Sequence, residues 1–365
     1  KKMLSSWLVM YTFSILWLVI GIYYHRKQTK QPMPSGTITA NSITVIIPFR
    51  NEAHNLNQLL TCIEQQTVQP YAWIFVNDHS TDQSSELISF SDPTIRYQVM
   101  KLSSPEFGKK RAIRKAINNS STAYCLTLDA DVTFHPDYIQ QLCVLPANDM
   151  IILPVIMRAN RFWQLLFSIE YAITQLLNLG VSWWSRPINC SGANLFFRRE
   201  TFLATDDFST HHHVLSGDDI YALRAFRLNK KSIRVVSEKS LAVTTSVPTT
   251  FSSVMDQRAR WMNKSGDVAD GLSNLLALWA LVLHFSFFSI QIVLFVTGQF
   301  EIVSVLFAAK LVLDSLLVMN GNEPFSLRLF FGLLLFEIAY PLYLLVLLFW
   351  AKSGRVSWKG RDLKQ

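Results

Sequence analysis

The chain has 365 residues, enough for one sizeable domain with additional segments. Half of its residues are hydrophobic and only 16% are charged, below the roughly 25% typical of soluble domains, which argues against a wholly soluble protein. The net charge is +8, and the basic residues gather beside the apolar segments, so we expect a lipid bilayer as a partner and no nucleic acid.

The chain opens with an apolar segment, residues 1–24, which is predicted to be a retained transmembrane anchor because it has no small-residue cleavage site. Residues 25–42 hold Pro32, Pro34 and Gly36 and are predicted to be a linker. Basic residues at the membrane ends predict an integral membrane protein with a cytoplasmic soluble domain, as in a bacterial inner membrane.

Residues 43–265 are predicted to form that soluble domain, in which apolar strands alternate with helices. This alternation predicts an α/β fold with a Rossmann-like, mostly parallel sheet and flanking helices. The predicted strands are residues 43–49, 71–76, 94–100 and 123–128, and the predicted helices are 52–66, 82–89 and 109–118.

A further helix is predicted at about residues 161–184, with apolar residues at helical spacing and the pair Trp183-Trp184 at its end. Tryptophan is typical of the headgroup region, so we expect this helix to lie in the membrane interface. A helix of the protein core is the alternative.

A second apolar region covers residues 272–350. Residues 275–296 and 327–350 are long enough to span a bilayer, whereas Lys310 and Asp314 interrupt residues 302–319. Two charges four residues apart on one helix face could neutralise each other.

The basic tail, residues 351–365, presents a conflict of topology. Two or three C-terminal crossings are possible, and three would place this tail outside, although its lysines and arginines favour the inside. The side of the membrane on which the tail lies is left open. The cysteines have no ligand-like spacing and are predicted to be reduced core residues: Cys62, Cys125, Cys143 and Cys190.

Asp129 and Asp131 directly follow the buried strand 123–128. Open α/β sheets bind their ligands at the carboxyl ends of strands, and two carboxylates spaced in this way could hold one hard cation that in turn holds a diphosphate. The alternative is an ordinary pair of helix N-cap residues.

Polar loops also end the first two strands. The loop after Pro48 reaches Glu52 at the start of a helix, and the next loop carries Asp78, whose carboxylate could accept the imide N–H of a pyrimidine. Lys109 opens a basic helix, where backbone amides and ammonium groups suit an anion. Turn chemistry and a solvated basic surface are the alternatives.

Two later motifs add reactive side chains. Asp218 and Asp219 begin a helix, where they could be caps or supply a general base. Gln257 and Arg260 lie three residues apart on one helix face, with Trp261 beside them, and Arg260 could neutralise a diphosphate. A juxtamembrane basic anchor is the alternative for this second motif.

The order of these motifs resembles that of family 2 glycosyltransferases of the GT-A fold, in the membrane-bound branch that contains ceramide glucosyltransferases, cellulose synthases and hyaluronan synthases. The resemblance covers residues 43–265. The matching positions are Pro48, Glu52, Asn77-Asp78, Ser80, Asp82, Gly108-Lys109, Asp129, Asp131, Gly192-Ala193-Asn194, Asp218-Asp219, Gln257, Arg260 and Trp261.

The resemblance implies a nucleotide-sugar donor, most simply a UDP-sugar, and Mg²⁺ or Mn²⁺ as the cofactor. Its implied site residues are Asp78 at the base with Pro48 and Glu52 nearby, Lys109 near the nucleotide, Asp129 at ribose and diphosphate, Asp131 on the metal, Asp219 as the base, and Gln257, Arg260 and Trp261 at the diphosphate and the acceptor.

The sequence departs from the family in three places. The pair Asp218-Asp219 stands where Glu-Asp is usual, which leaves open which carboxylate is the base. Asn77 stands where a second aspartate is common, which leaves more of the implied contact with the nucleotide base to Asp78. The run His211–His213 matches no motif and favours a solvated loop over a metal contact.

We therefore expect an inverting, metal-dependent transfer of a sugar to the hydroxyl of a membrane lipid acceptor. Few C-terminal spans leave little room for a polymer channel, although Gln257, Arg260 and Trp261 are shared with processive polysaccharide synthases, which remain an alternative. A non-catalytic membrane scaffold is the alternative of another class.

Overall fold

The computed structural model describes residues 2–29, 38–205, 208, 217–268, 271–322, 326–352, 357–358 and 361–362. The chain divides into two units. The helical unit comprises Lys1–Lys30, Met157–Ile188 and Val247–Gly354, and the sheet unit comprises Gln31–Ile156, Asn189–Ser246 and Arg355–Gln365. Two stretches of the predicted soluble domain, 157–188 and 247–265, thus belong with the apolar helices.

The sheet unit is built on a seven-stranded sheet in the part of the chain described. Its members are β1 (Ile43–Phe49), β2 (Ala72–Asn77), β3 (Tyr97–Lys101), β4 (Tyr124–Leu128), β5 (Met150–Ile152), β7 (Asn194–Arg198) and β8 (Ile233–Val235), in the order β3-β2-β1-β4-β7-β5-β8. Only β7 runs antiparallel to its neighbours in this sheet. The short strands are β6 (Val155–Arg158), β9 (Val243–Ser246), β10 (Ser357–Trp358) and β11 (Arg361–Asp362).

Burial explains the apolar character of the central strands. All seven residues of β1 and all five of β4 are buried, as expected of strands covered on both faces. Helix α2 (Ala53–Glu64) buries Leu56, Leu59, Leu60 and Ile63, the spacing of one helix face. The sheet and its flanking helices confirm the predicted α/β fold.

The other helices described in the sheet unit are short. They are α3 (Lys109–Asn119), α4 (Tyr138–Cys143), α6 (Arg199–Thr205) and α7 (Asp218–Leu228). The predicted helix 82–89 is wrong, because only a 3-10 turn forms, at Gln83–Ser85. The Asp82 carboxylate accepts the N–H groups of Ser84 and Ala53, both at 3.1 Å, so the segment is tied to the start of α2 instead of continuing as a helix.

The helical unit contains α1 (Lys2–Thr29), α5 (Leu165–Trp184), α8 (Phe251–Val268), α9 (Gly271–Val296), α10 (Phe300–Val318) and α11 (Leu327–Lys352). Among the described residues, four helices are long and apolar enough to cross a membrane: Leu4–Gln28, Phe162–Trp184, Gly271–Val296 and Leu327–Lys352. The predicted anchor and the two stronger C-terminal spans are among them. The interfacial position of residues 161–184 stays a prediction, since their length and hydropathy also suit a crossing.

Helices α1 and α5 approach closely where glycines meet. A Cβ atom added to Gly21 would lie 2.5 Å from the carbonyl oxygen of Gly180, so neither helix tolerates a larger side chain at this crossing without moving. The rings of Trp17 and Trp184 stack at 5.7 Å, and the Trp184 indole N–H donates to the Trp17 carbonyl at 3.0 Å. Helix α5 is therefore anchored to the N-terminal helix.

Charged side chains inside the helical unit neutralise one another. The Lys310 Nζ atom lies 2.6 Å from Asp314 Oδ2, which confirms the predicted pair, and 2.5 Å from Glu337 Oε2. The Tyr11 hydroxyl donates to Asp314 Oδ1 at 2.5 Å. This buried charge cluster joins α1, α10 and α11, and the sequence did not reveal its contributions from Tyr11 and Glu337.

Other predictions concern the cysteines and the loops. All four cysteines are free, and Cys125 and Cys190 are buried. The run His211–His213 and residues 30–37 of the linker lie outside the described residues, as does most of the basic tail.

We predict that Lys310→Met destabilises the protein by about 3–5 kcal/mol, because removing one partner leaves buried carboxylates uncompensated. The measurement is thermal and denaturant unfolding of the full chain in detergent. The triple variant K310M/D314N/E337Q, which removes every charge of the cluster, should regain much of this loss. An unchanged transition for K310M alone would contradict the prediction.

Candidate active site

The candidate site lies where three neighbouring strands end. Strand β1 pairs in parallel with β2 on one side and with β4 on the other, so the carboxyl ends of all three meet at one edge of the sheet. The chain order reverses at β1, which is the topological switch point where open α/β sheets bind ligands. Pro48 lies in β1 opposite Val76 of β2, while Asp78 and Asp129 directly follow β2 and β4.

The loops after β1 and β2 are held together by hydrogen bonds. The Arg50 guanidinium donates to the carbonyl oxygens of Asp78 at 2.8 Å and His79 at 2.6 Å. The Asn51 side chain accepts the N–H of Thr81 at 2.8 Å, and both Asn51 and His79 have positive φ angles. Two such residues within one loop pair indicate a backbone constrained to present its polar groups at the sheet edge.

Asp78 connects the end of β2 to the start of α3. Its carboxylate accepts the N–H of Gly108 at 3.1 Å, and its own N–H donates to the Phe49 carbonyl at 2.9 Å. The residue is only 2% exposed. Glu52 is also buried, and its carboxylate accepts the Asn55 side-chain amide at 2.7 Å. The structure thus brings Pro48, Glu52 and Asp78 to the same edge of the sheet.

Lys109 joins the two acidic motifs of the sheet unit. Its Nζ atom lies 2.5 Å from Asp129 Oδ1 and 3.8 Å from Asp218 Oδ2. Burial alone would lower the pKa of this lysine, but the charges of Asp129 and Asp218 overcome that effect and raise the pKa above its usual value. The ammonium group is therefore charged at neutral pH and holds the β4 loop beside the start of α7.

Asp131 occupies the other end of the acidic motif. The Thr245 hydroxyl donates to its Oδ2 atom at 3.1 Å, and Thr133 and Thr244 exchange backbone hydrogen bonds beside it at 2.9 and 2.8 Å. The alternative of an N-cap pair is wrong, because within the described stretch 38–205 the next helix begins only at Tyr138.

Asp219 is positioned by the backbone around it. It is 9% exposed, and its carboxylate oxygens accept the N–H of Gly192 at 3.1 Å and the N–H of Ile220 at 2.8 Å. The N-cap residue of α7 is Gly217, which makes no side-chain cap bond, so Asp219 is held inside the first turn by the Ile220 N–H and does not cap the helix. The two neighbouring carboxylates are used differently, since Asp218 faces Lys109 and Asp219 faces the Gly192 backbone.

Among the described residues, His, Cys, Asp and Glu side chains do not gather in groups of three that could hold a metal ion by themselves. The donor set at Asp129 and Asp131 consists of carboxylate oxygens, the ligands that Mg²⁺ and Mn²⁺ prefer. A cation held by one or two carboxylates together with substrate phosphates fits such a set.

The predicted residues Gln257, Arg260 and Trp261 lie on α8 of the helical unit. Arg260 is half-buried, and burial lowers its pKa to about 10 against the opposing charge of Asp256, so the guanidinium remains cationic at neutral pH. The Trp261 ring packs on Tyr171 at 5.6 Å between ring centroids.

Asn194 is a residue whose role the sequence did not reveal, although it belongs to the Gly192-Ala193-Asn194 motif. It is fully buried at the start of β7 and accepts the Tyr138 hydroxyl at 2.5 Å. Its amide donates to the carbonyl oxygens of Pro154 at 2.8 Å and Leu241 at 3.0 Å. Asn194 therefore supports the loop that carries Gly192, because its side chain fastens β7 to three other segments.

Two family models match the chain. The model "Glycosyl transferase family 2" matches residues 44–201, which contain the sheet edge described above. The model "Glycosyl transferase family group 2" matches residues 124–352, well over half of the chain, and extends through the apolar helices.

Curated relatives and a solved structure agree with these matches. A 4,4'-diaponeurosporenoate glycosyltransferase of Staphylococcus aureus (strain bovine RF122 / ET3-1) is 36% identical over 115 residues, which are 31% of this chain and 29% of the relative. The corresponding protein of S. aureus strain USA300 is 34% identical over the same shares. These alignments span less than a third of either protein.

The mannosyltransferase PcManGT from Pyrobaculum calidifontis, solved in complex with GDP-Man and Mn²⁺, covers 98% of this chain and 100% of its own, with a TM-score of 0.53 and 15% identity. This likeness shows the fold.

We predict that Asn194→Ala destabilises the protein by at least about 2 kcal/mol, because it leaves several buried polar groups without their hydrogen bonds. Unfolding of the full chain in detergent measures the effect. Asn119→Ala is the matched control, since this exposed asparagine only donates to the Lys115 carbonyl on its own helix. Equal transitions for the two variants would contradict the supporting role of Asn194.

Proposed function

Because the chain belongs to glycosyl transferase family group 2 and is a membrane-bound glycosyltransferase of the GT-A fold, we propose that it transfers one sugar from a nucleotide-sugar, a UDP-sugar, to the hydroxyl of a membrane lipid. The observation that carries the proposal is the convergence of Asp78, Asp129 and Lys109 at the switch point of the sheet. The same chain supplies helices suited to the bilayer, where such an acceptor resides.

The donor would bind along the edge formed by β1, β2 and β4. Asp78, with Pro48 and Glu52 nearby, would contact the base, and Lys109 would lie near the nucleotide. Asp129 would contact the ribose and the diphosphate. The buried, hydrogen-bonded position of Asp78 supports this role, because a fixed carboxylate can select a base N–H group.

A divalent cation, Mg²⁺ or Mn²⁺, would be held by Asp131 together with Asp129. When bound, it would supply positive charge that stabilises the departing diphosphate. The PcManGT structure was solved with Mn²⁺, which supports a divalent cation for this fold. The carboxylate donors of the β4 loop fit it.

The transfer would be a direct displacement with inversion. A bond forms between the acceptor oxygen and the anomeric carbon while the bond from that carbon to the diphosphate breaks. Asp219 would take the proton of the acceptor hydroxyl, and its backbone hydrogen bonds support this role because a general base must be held in place. Arg260 would neutralise the leaving nucleoside diphosphate, with Gln257 and Trp261 beside it at the diphosphate and the acceptor.

The acceptor class is supported from two directions. The helical unit carries helices apolar enough for a bilayer. The S. aureus relatives are named for glycosylation of 4,4'-diaponeurosporenoate, which favours a lipid-related acceptor. A processive polysaccharide synthase is the second candidate, because the motif of Gln257, Arg260 and Trp261 is shared with such enzymes. The products distinguish the two candidates. A lipid that carries one sugar indicates single transfer, whereas a ladder of products of increasing length indicates a processive synthase.

We predict that Asp131→Ala and Asp219→Asn each lower kcat by about 10²–10⁴-fold, the range for loss of a positioned catalytic group, while both variants remain folded and membrane-bound. The assay incubates the full chain in lipid nanodiscs with UDP- and GDP-sugars and a total membrane lipid extract. It measures release of the nucleoside diphosphate and the mass of the glycosylated lipid.

The matched control is Asp92→Asn, an exposed aspartate whose contact is to Thr94 and which should retain full activity. Near-normal activity of both site variants would contradict the proposed roles. A protein that gains no thermal stability from any nucleotide and divalent cation, and that transfers no sugar, would instead favour the scaffold.

A further inference from the structure

We propose that Arg258, which lies between Gln257 and Arg260 on α8, is a positioning residue that fixes the side-chain amide of Gln257 so that its NH₂ group donates to an oxygen of the bound nucleotide-sugar. The inference rests on the proposed function and adds to it a residue that the motif leaves unspecified.

Arg258 is held firmly from the side of α5. It is 4% exposed, its Nε atom donates to Glu170 Oε2 at 2.7 Å, and another nitrogen donates to the Phe167 carbonyl at 3.1 Å. The remaining oxygen of Glu170 accepts the Tyr343 hydroxyl at 3.0 Å. One guanidinium thus joins α8 to α5 and, through Glu170, to α11, in the fork geometry that only arginine offers.

The same guanidinium contacts two side chains of the motif. A terminal nitrogen of Arg258 donates to Gln257 Oε1 at 2.8 Å, and the guanidinium carbon lies 4.4 Å from the centre of the Trp261 ring. The Trp261 ring therefore packs against both Arg258 and Tyr171. A change at Arg258 would reach both motif residues without any contact of its own with a ligand.

The chemistry of arginine decides the orientation of the Gln257 side-chain amide. Arginine carries donors only, so the Gln257 atom that faces it must be the carbonyl oxygen. With this oxygen committed to Arg258, the group that Gln257 can offer to a ligand is its NH₂. A donor suits the oxygens of a diphosphate or a sugar, and Gln257 would then act beside Arg260 as a second, uncharged donor.

The experiment measures kcat and KM for the nucleotide-sugar with the full chain in nanodiscs. Gln257→Glu keeps the shape and gives Arg258 a carboxylate to bind, but lacks the NH₂ group. Gln257→Met lacks it without adding charge. Both variants should lower kcat/KM by about 10- to 100-fold, the range for a hydrogen bond to a charged group, with an unfolding transition close to that of the unmodified chain. Full activity of Gln257→Met would overturn the donor role.

A double-mutant cycle tests whether Arg258 acts through Gln257. Arg258→Lys keeps the positive charge but loses the forked geometry of the guanidinium. It should lower kcat/KM by about 10-fold in the unmodified chain. In the Q257M background it should lower kcat/KM only a little, because the effects of coupled residues are not additive. Equal losses in both backgrounds would overturn the proposal. Arg328→Lys is the control, since this arginine of the same unit donates to the Ala159 carbonyl.

The activity of the unmodified chain distinguishes a failure of the proposed role of Arg258 from a failure of the proposed function. Absence of sugar transfer by the unmodified chain would overturn the proposed function and the role of Arg258 with it. An active unmodified chain whose Q257M variant is equally active would overturn the role of Arg258 alone.

Discussion

The parallel pairing of β1 with both β2 and β4 is the constraint on which the rest of the sheet unit depends. It brings three strand ends to one edge, and each end carries a polar loop. Lys109 then supplies the positive charge that allows Asp129 and Asp218 to approach each other. Without the sheet these carboxylates would have no reason to meet, because 88 residues of sequence lie between them.

The helical unit follows a different rule, because its buried ion pairs bring opposite charges together. Arg258 meets Glu170, and Lys310 meets Asp314 and Glu337. Buried ion pairs of this kind contribute little net stability but make the arrangement of helices specific. Any other arrangement would leave a charge unpaired in an apolar medium. The chain therefore gathers the polar residues of the candidate site at a sheet edge, and its buried ion pairs in the helical unit define helix packing.

The sequence predicted four of the seven strands of the main sheet, and its failures have physical causes. β1 and β4 were predictable because strands buried on both faces are nearly continuous apolar runs. The helix predicted at 82–89 failed because Asp82 could bind the amide of Ala53, a contact 29 residues away that local pattern does not register. Asn194 and Arg258 were missed as supporting residues because their partners come from distant segments.

The sequence by itself determined the α/β fold, the apolar helices and the identity of the acidic motifs, since burial periodicity and strand-end chemistry are local properties. Only the tertiary structure decided that Lys109 lies between Asp129 and Asp218, that Asp219 faces the Gly192 backbone, and that Glu337 completes the charge cluster around Lys310. Electrostatic partnership depends on distances between side chains, and those distances are set by packing that no single segment encodes.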